Sequence, residues 1–340
     1  LQLSKLLDIP NDKCKGICYI RNMDSIINYY AERKINIMYE KLIFKKFEYL
    51  EKDNHVVILG DSIEVMQHMK SDSVDLIFAD EPYNIGKDFG NNKDSWNSTV
   101  EYIEWNKKWI HEAMRILKTD GTMYLMTATQ FMPYIDVFIQ ENYHVLSRII
   151  WSYDSSGVQS KKMYGSLYEP ILMITKSAKS NYTFNSQDIL VEAKTGAQRG
   201  LIDYRKSPPQ PYNTTKVPGN VWEFPRVRFR MNEYENHPTQ KPESLLERII
   251  KASSNEGDIV FDPFGGSFST AATAKKLNRK SISIDLNPEY FKIGLRRLGI
   301  THEYNGENLE KKKKRKTTNK SKKDHDLKNE STSDQMELKV

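Results

Sequence analysis

The stretch IFADEPYN, residues 77–84, carries acidic, rigid and aromatic residues whose types and spacing suit the binding of an amino group. An apolar run ends at Asp80, and Glu81, Pro82 and Tyr83 follow it directly. At the carboxyl end of a parallel strand, such groups point into the crevice where ligands bind. There an acidic side chain and a turn carbonyl accept both hydrogens of an exocyclic amino group, while an aromatic ring stacks on the ring that carries it. Positioning of this kind leaves the nitrogen lone pair aimed at an electrophilic methyl group.

Each of these residues also fits a purely structural role. Asp80 fits a helix N-cap or a turn, and Tyr83 fits an aromatic side chain at the rim of a fold. Their combination at the end of a strand is far more specific than either residue alone. It therefore favours a catalytic site.

A second pattern, VFDPFGGSFSTAATAKKLNRKSISID, predicts a strand, a glycine turn, a helix and a second strand that ends at Asp285. Glycines such as Gly265 and Gly266 let a backbone approach a ligand, and an acidic residue about twenty positions later binds ribose hydroxyls. A plain tight turn is the structural alternative. The spacing GxGxxG, typical of pyrophosphate binding, is absent, and Phe268 stands where such a loop favours glycine. A nucleoside ligand without phosphates fits better than NAD, and S-adenosylmethionine is the predicted cofactor.

Short apolar runs that end in small or acidic residues predict the strands that position these groups. They are VVILGDS, VDLIFADEPY and GTMYLMTAT, and later SISIDLN. Between them, YIEWNKKWIHEAMRILK predicts a helix whose buried stripe holds Ile103, Trp109, Ile110, Ala113, Met114 and Leu117. PESLLERIIKASS predicts another helix, with Leu245, Leu246, Ile249 and Ile250 facing inward. This alternation predicts an α/β fold with a Rossmann-like, mostly parallel sheet and helices on both faces.

Changes in composition divide the chain into five predicted segments. These are an N-terminal extension that suits one or two helices (1–54), a catalytic half (55–178), a loop-rich insert (179–236), a cofactor-binding half (237–304) and a disordered charged tail (305–340). The insert holds five of the 13 prolines and mixes basic with aromatic residues.

Charge and cysteine content restrict the function only weakly. Lys and Arg number 51 against 45 Asp and Glu, so the net charge of +6 permits a polyanionic partner without selecting one. Cys14 and Cys18 lack a second ligand pair, which predicts free thiols and no metal site. No apolar run of about 20 residues and no signal-peptide pattern occurs, so we expect a cytoplasmic protein without membrane contact.

Three motifs in order give the chain a family resemblance. DEPY at 80–83, HPTQKP at 237–242 and DPFGGSFST at 262–270 surround the basic-aromatic insert. The chain resembles the amino-methyltransferases of DNA, whose signature is Asp/Asn/Ser-Pro-Pro-Tyr/Phe, over roughly residues 55–300. More narrowly, it resembles bacterial adenine-specific DNA methyltransferases of the beta arrangement, in which the catalytic motif precedes the recognition region and then the cofactor loop. The resemblance implies a permuted methyltransferase topology.

The resemblance also implies roles for single residues. Asp80 and the carbonyl of Glu81 would hold the adenine amino group, Pro82 would complete the motif, and Tyr83 would stack on the flipped base. The cofactor set is Asp61, Ser62, Asp80, Thr239, Lys241, Asp262, Phe264, Gly265, Gly266, Ser267, Asp285 and Asn287. The resemblance makes the insert (179–236) the DNA target-recognition region. Basic residues of the insert suit phosphate contacts and form the predicted DNA-binding set, with an ordinary solvated loop as the structural alternative: Arg199, Arg205, Lys206, Lys216, Arg226, Arg228 and Arg230.

The implied function is site-specific methylation of adenine N6 in duplex DNA by base flipping and direct transfer from S-adenosylmethionine. A homodimer and a cognate restriction endonuclease are further partners that the resemblance leaves open. Glu81 departs from the family proline, so a catalytically weak DNA-binding relative is one alternative. A cytosine N4 enzyme is another, and methylation of RNA or of a protein glutamine is disfavoured by the order of the motifs.

Overall fold

The computed structural model describes residues 47–84, 86, 95–155, 161–194 and 199–300. Its strands are β1 (Glu48–Lys52), β2 (His55–Leu59), β3 (Val74–Asp80), β4 (Leu117–Met126), β5 (His144–Ser152), β6 (Tyr168–Thr175), β7 (Val191–Glu192), β8 (Ile202–Asp203), β9 (Gln210–Pro211), β10 (Thr215–Lys216), β11 (Val221–Glu223), β12 (Ile259–Asp262) and β13 (Lys280–Asp285). Its helices are α1 (Ser62–Gln67), α2 (Thr99–Ile116), α3 (Met132–Asn142), α4 (Glu243–Ser253), α5 (Ser269–Lys276) and α6 (Pro288–Leu298), with a 3₁₀ helix at Ser186–Ile189.

Nine of these strands form one sheet in the order β1-β2-β13-β12-β3-β4-β6-β5-β11. The five strands from β2 to β4 in this order are parallel, whereas the pairs β1–β2, β4–β6 and β6–β5 are antiparallel. The predicted Rossmann-like, mostly parallel sheet is therefore confirmed. The carboxyl ends of β3, β12 and β13 lie side by side at one edge, where the candidate site forms.

Side chains of β3 alternate between two cores, one on each face of the sheet. Ile77 packs in the core that contains Trp109 of α2, and Phe78 packs in the core that contains Leu245 of α4. Successive strand residues point to opposite faces, and residues 76–79 are all apolar because helices cover both faces. Leu117, predicted to end the α2 stripe, is instead the first residue of β4.

A tight hairpin joins β1 to β2, in a region where the sequence pattern favours helix. Its two turn residues, Asp53 and Asn54, have φ angles of 52° and 65°. A two-residue loop with both φ values positive matches the right-handed twist of paired strands, and Asn and Asp tolerate it well. The turn chemistry therefore overrides the helical pattern of residues 48–52. Residues 1–46, which make up most of the predicted extension, lie outside the described residues, as do Cys14, Cys18 and the predicted tail.

The predicted recognition insert is only partly separate from the sheet. Strand β11 within it pairs parallel with β5, and Trp222 packs into the core beneath this edge. The indole of Trp151 in β5 donates a hydrogen bond of 2.9 Å to the carbonyl of Phe224. One end of the insert is thereby fixed to the catalytic half of the chain.

Within the described ranges, no helix combines the length and the apolar character needed to cross a lipid bilayer. The same residues contain no group of three or more His, Cys, Asp or Glu side chains arranged to hold a metal ion.

Phe268 begins α5 in a conformation that is unusual for an aromatic residue. Its φ angle is 55°, in the left-handed region, and its side chain is fully buried. The ring lies beneath the glycine turn, since a Cβ placed on Gly265 or Gly294 would come within 2.9 Å or 2.7 Å of its atoms. A left-handed residue costs about 1–2 kcal/mol, whereas burial of a Phe ring is worth about 3–5 kcal/mol, so burial outweighs the strain.

Replacing this side chain tests which effect is larger. We expect Phe268→Gly to lower the free energy of unfolding by about 2 kcal/mol, despite the relief of strain, because the buried ring is lost. Urea denaturation measures the change. The matched control is Asn278→Gly, at an exposed residue with a φ angle of 58°, which should be neutral or slightly stabilising. A Phe268→Gly protein as stable as wild type would show that strain, not packing, dominates.

Candidate active site

The catalytic motif ends strand β3 in a buried network of four polar side chains. The Tyr83 hydroxyl lies 2.7 Å from Asp80 Oδ1 and 2.7 Å from Glu169 Oε2, and it donates its single proton to one of these oxygens at a time. Lys241 Nζ donates to Asp80 Oδ2 at 2.5 Å and lies 3.6 Å from Glu169 Oε2. Both oxygens of Asp80 are therefore held by donors, which fixes the direction of the carboxylate.

Opposing charges set the protonation of this network. Burial alone would lower the pKa of Lys241, but attraction to Asp80 and Glu169 outweighs it and raises the pKa, so Lys241 stays cationic. Burial raises the pKa of Asp80, and Lys241 opposes that rise. Burial and the two carboxylates raise the pKa of Tyr83 well above its usual range, so its hydroxyl remains a donor.

Glu81, the residue that replaces the family proline, turns its carboxylate into the protein. Its side chain is buried, and the hydroxyl of Tyr102 in α2 lies 2.6 Å from each carboxylate oxygen. The same hydroxyl lies 3.0 Å from the carbonyl oxygen of Pro82. The second carboxylate of the motif is thus bound by a helix of the scaffold.

The glycine turn is organised by the carboxylate at the end of β13. Asp285 accepts hydrogen bonds from the backbone N–H groups of Gly266 and Asn287, both at 2.7 Å. Gly266 has a φ angle of 52°, and a Cβ there would lie 2.9 Å from Nε2 of His237. A side chain at this position would fill the space under His237, so glycine keeps the cradle open.

Burial raises the pKa of the Asp285 carboxyl group to near neutrality. It raises the pKa of Asp285 from its ordinary 3.8 to about 7, against the lowering effect of the two backbone hydrogen bonds. The neighbouring Asp262, also buried, has its pKa raised to about 7 in the same way.

The raised pKa of Asp285 predicts a pH dependence of stability. A folded-state pKa above the unfolded value adds stability that is fully present below pH 3.8 and is lost as pH rises through about 7. The Tm advantage of wild type over Asp285→Asn should therefore shrink between pH 4 and 7, by several degrees, since a tenfold change in proton affinity equals about 1.4 kcal/mol. Thermal unfolding across this range checks it. A difference that does not change with pH would contradict the assignment.

One cavity of about 340 Å³ collects the predicted catalytic and cofactor residues. Asp80, Glu81, Pro82 and Tyr83 line it. So does the whole predicted cofactor set: Asp61, Ser62, Thr239, Lys241, Asp262, Phe264, Gly265, Gly266, Ser267, Asp285 and Asn287. Asp61 also caps α1 by accepting from the Glu64 N–H, and Ser62 donates to the carbonyl of Pro263 at 2.5 Å. Residues from distant parts of the chain thus meet at the edge where the parallel strands end.

Several residues around the site were missed by sequence reasoning. Trp105, His237 and Tyr290 line the cavity, and the rings of His237 and Tyr290 meet edge to face at 4.6 Å. His237 belongs to the quoted HPTQKP motif, so motif membership was the available signal. Glu169 and Tyr102 carry no local motif. A buried carboxylate such as that of Glu81 needs a hydrogen-bond donor. This general requirement is the signal that could have led to Tyr102.

The predicted DNA-binding residues are spread over the insert and do not converge as the cavity residues do. Arg226 lies 5.0 Å from the ring of Tyr153 and lines a small recess that also contains Tyr83, Glu169 and Lys241. Most of the others are exposed on turns and short strands: Arg199, Arg205, Lys206, Lys216, Arg228 and Arg230. Arg205 forms an ion pair of 2.8 Å with Asp203. Arg226 is thus the member of this set that the structure brings to the catalytic residues.

Comparison with known proteins supports the resemblance on independent grounds. The model of a family described as DNA methylase matches residues 74–296. The chain is 60% identical over 266 residues to the DNA adenine methyltransferase YhdJ of Escherichia coli K12. The aligned residues make up 78% of this chain and 90% of YhdJ. The chain is also 38% identical over 252 residues to the type II methyltransferase M.HpaI of Haemophilus parainfluenzae. This alignment spans 74% of this chain and 75% of M.HpaI.

A solved structure shows the same fold. The PvuII DNA methyltransferase, described as cytosine-N4-specific, matches with a TM-score of 0.55 over 77% of this chain and 90% of its own, at 17% identity. Identity at this level supports the architecture alone. The family match and the relatives confirm the resemblance read from the three motifs, and the chain belongs to the DNA methylase family.

Proposed function

We propose that this protein transfers a methyl group from S-adenosylmethionine to adenine N6 in duplex DNA. The observation that carries the proposal is that Asp80 and Tyr83 share one cavity with the glycine turn and Asp285. An amino-group site and a nucleoside site are thereby open to one another. The adenine assignment follows the relative that is 60% identical and is named an adenine methyltransferase.

The catalytic residues act by positioning. Asp80 and the carbonyl of Glu81 accept the two hydrogens of the amino group, so that the nitrogen lone pair is free to attack. Tyr83 stacks on the flipped base, and its hydroxyl is anchored by Asp80 and Glu169, which holds the ring in one orientation. Holding the two reactants in the correct orientation removes the entropic cost of bringing them together, and this is the main source of the rate enhancement in such a site.

The cavity suits the predicted cofactor. Asp285 keeps lone pairs for ribose hydroxyls, Gly266 leaves room for the ligand against the backbone, and Asp262 lies on the side of the glycine turn. Apolar and aromatic side chains, among them Trp105 and Tyr290, complete the wall. When bound, S-adenosylmethionine supplies an electrophilic methyl group on a sulfonium. The protein's own part is to hold that group in line with the amino nitrogen and to exclude water.

DNA contacts are assigned to the basic residues of the insert. We assign Arg226 a contact with the strand that carries the flipped nucleotide, and its position in the recess beside Tyr83 supports this assignment. Exposed residues such as Arg199 and Lys206 suit phosphate contacts, which depend strongly on salt. The segment boundaries given above are part of this proposal.

The direct test is product identification. The purified protein is incubated with mixed-sequence duplex DNA and methyl-labelled S-adenosylmethionine, and the DNA is digested to nucleosides for mass spectrometry. We expect labelled N6-methyladenine. Label in N4-methylcytosine would keep the chemistry and overturn the base, whereas the absence of any labelled nucleoside would overturn DNA as the substrate.

Two further partners are part of the proposal. M.HpaI is named a type II methyltransferase, and the counterpart for this chain is a cognate restriction endonuclease. A homodimer is the second. Light scattering of the purified protein tests the dimer, and cleavage of unmethylated but not methylated host DNA by a co-encoded nuclease tests the endonuclease.

A further inference from the structure

The hydroxyl of Tyr102 contacts two successive residues of the catalytic motif. It lies 2.6 Å from both carboxylate oxygens of Glu81 and 3.0 Å from the carbonyl oxygen of Pro82. Glu81 is 2% exposed and Tyr102 is 0% exposed, so solvent does not compete for these contacts. Tyr102 therefore contacts the chain on both sides of the peptide bond between Glu81 and Pro82, and its single hydroxyl proton is donated to one of these oxygens at a time.

Tyr102 is itself held rigidly by its surroundings. Its ring packs 4.9 Å from that of Trp96 and 4.6 Å from that of Phe131, and its backbone N–H donates to the carbonyl of Ser98 at 3.1 Å. Burial, then the nearby Glu81 carboxylate, raises the pKa of Tyr102, which keeps the hydroxyl protonated as a donor. The anchor point on α2 is therefore fixed in both position and chemistry.

Family signatures place a proline at position 81, where its ring restricts the backbone whose carbonyl faces the amino group. We propose that the contact between Tyr102 and Glu81 supplies the restraint that the missing proline would give, so that Tyr102 is a positioning residue for the carbonyl of Glu81. We call this contact the Tyr102–Glu81 latch. It deepens the proposed function and rests on it, because that carbonyl matters only where an amino group is bound.

The latch predicts that the effect of losing the hydroxyl depends on residue 81. Tyr102→Phe should slow single-turnover methyl transfer by about 10-fold to 100-fold, since small displacements of positioned groups have effects of this order. In a Glu81→Pro background, the same change should slow transfer by less than about threefold, because the ring now restrains the backbone. Cofactor affinity, measured by titration calorimetry, should be the same in wild type, Tyr102→Phe, Glu81→Pro and the double variant.

A second readout does not depend on turnover. Hydrogen exchange of the peptide that covers residues 80–84 should be faster in Tyr102→Phe than in wild type. In the Glu81→Pro background, adding Tyr102→Phe should increase the exchange rate of this peptide by less. If wild type fails to methylate any DNA, the proposed function fails, and the exchange data still decide whether the latch exists.

The matched control removes a different buried tyrosine hydroxyl. Tyr124 is 1% exposed and its hydroxyl lies 2.9 Å from Ser253 Oγ, away from the cavity. Tyr124→Phe should leave the transfer rate and the exchange of residues 80–84 unchanged. The latch would be overturned if Tyr102→Phe slowed methyl transfer equally in the wild-type and Glu81→Pro backgrounds, or slowed it in neither.

Discussion

Replacing Asp80 with asparagine should slow methyl transfer by about 100-fold to 1,000-fold, while cofactor affinity changes by no more than a few-fold. The reason is geometric. Asp80 receives one donor on each oxygen, from Tyr83 and from Lys241. An asparagine offers one oxygen, so its NH₂ group must face one of these donors, and the side chain turns away. The amino group of the substrate then loses its acceptor.

Single-turnover kinetics with labelled cofactor measure this loss without interference from product release. The matched control is Asp136→Asn, which removes a partly exposed carboxylate paired with Arg148 at 2.6 Å. Exposed pairs of this kind contribute little, so the control should keep the wild-type rate. A rate for Asp80→Asn within tenfold of wild type would remove Asp80 from the reaction centre.

Replacing Lys241 with methionine should have the second-largest effect. Lys241 is the cation that opposes the rise in the pKa of Asp80, whereas Glu169 adds to that rise. Without Lys241 the pKa of Asp80 climbs, less of it is ionised at a given pH, and the acid limb of the rate profile moves to higher pH. Loss of one partner from a buried pair should also lower the free energy of unfolding by about 3 kcal/mol.

Two companion variants separate charge from packing. Adding Glu169→Gln to Lys241→Met removes the carboxylate that raises the pKa of Asp80, so the acid limb should move back toward lower pH. Lys251→Met breaks a surface pair of 2.6 Å with Glu247 and should change neither the profile nor stability by much. A Lys241→Met protein with the wild-type pH profile would show that Lys241 serves packing alone.

The sequence predicts the sheet and most of the cavity because their signals are local. Asp80 and Asp285 each end an apolar run at a strand terminus, and the carboxyl ends of parallel strands meet at one edge. Strand identity therefore implies spatial proximity, even between residues about two hundred positions apart.

The missed residues depend on geometry that no short pattern contains. Glu169 stands near the start of β6, which runs antiparallel to β4, so its beginning lies at the edge where β3 and β4 end. Locally, YEPILMIT is an ordinary strand. Tyr102 lies on a helix whose period predicts only burial, and its hydroxyl gains meaning from Glu81, 21 positions earlier. Such contacts follow from the assembled fold.

The strand order also has a consequence for synthesis of the chain. Strands β2 and β3 are neighbours in sequence, yet β13 and β12 lie between them in the sheet. The facing edge of β3 lacks its partner until β12 leaves the ribosome, and the facing edge of β2 lacks its partner until β13 follows. At about 5–20 residues per second, that interval lasts roughly 10–40 s. Unpaired strand edges invite association with other chains, so the chain is open to such association during translation until β12 and β13 emerge.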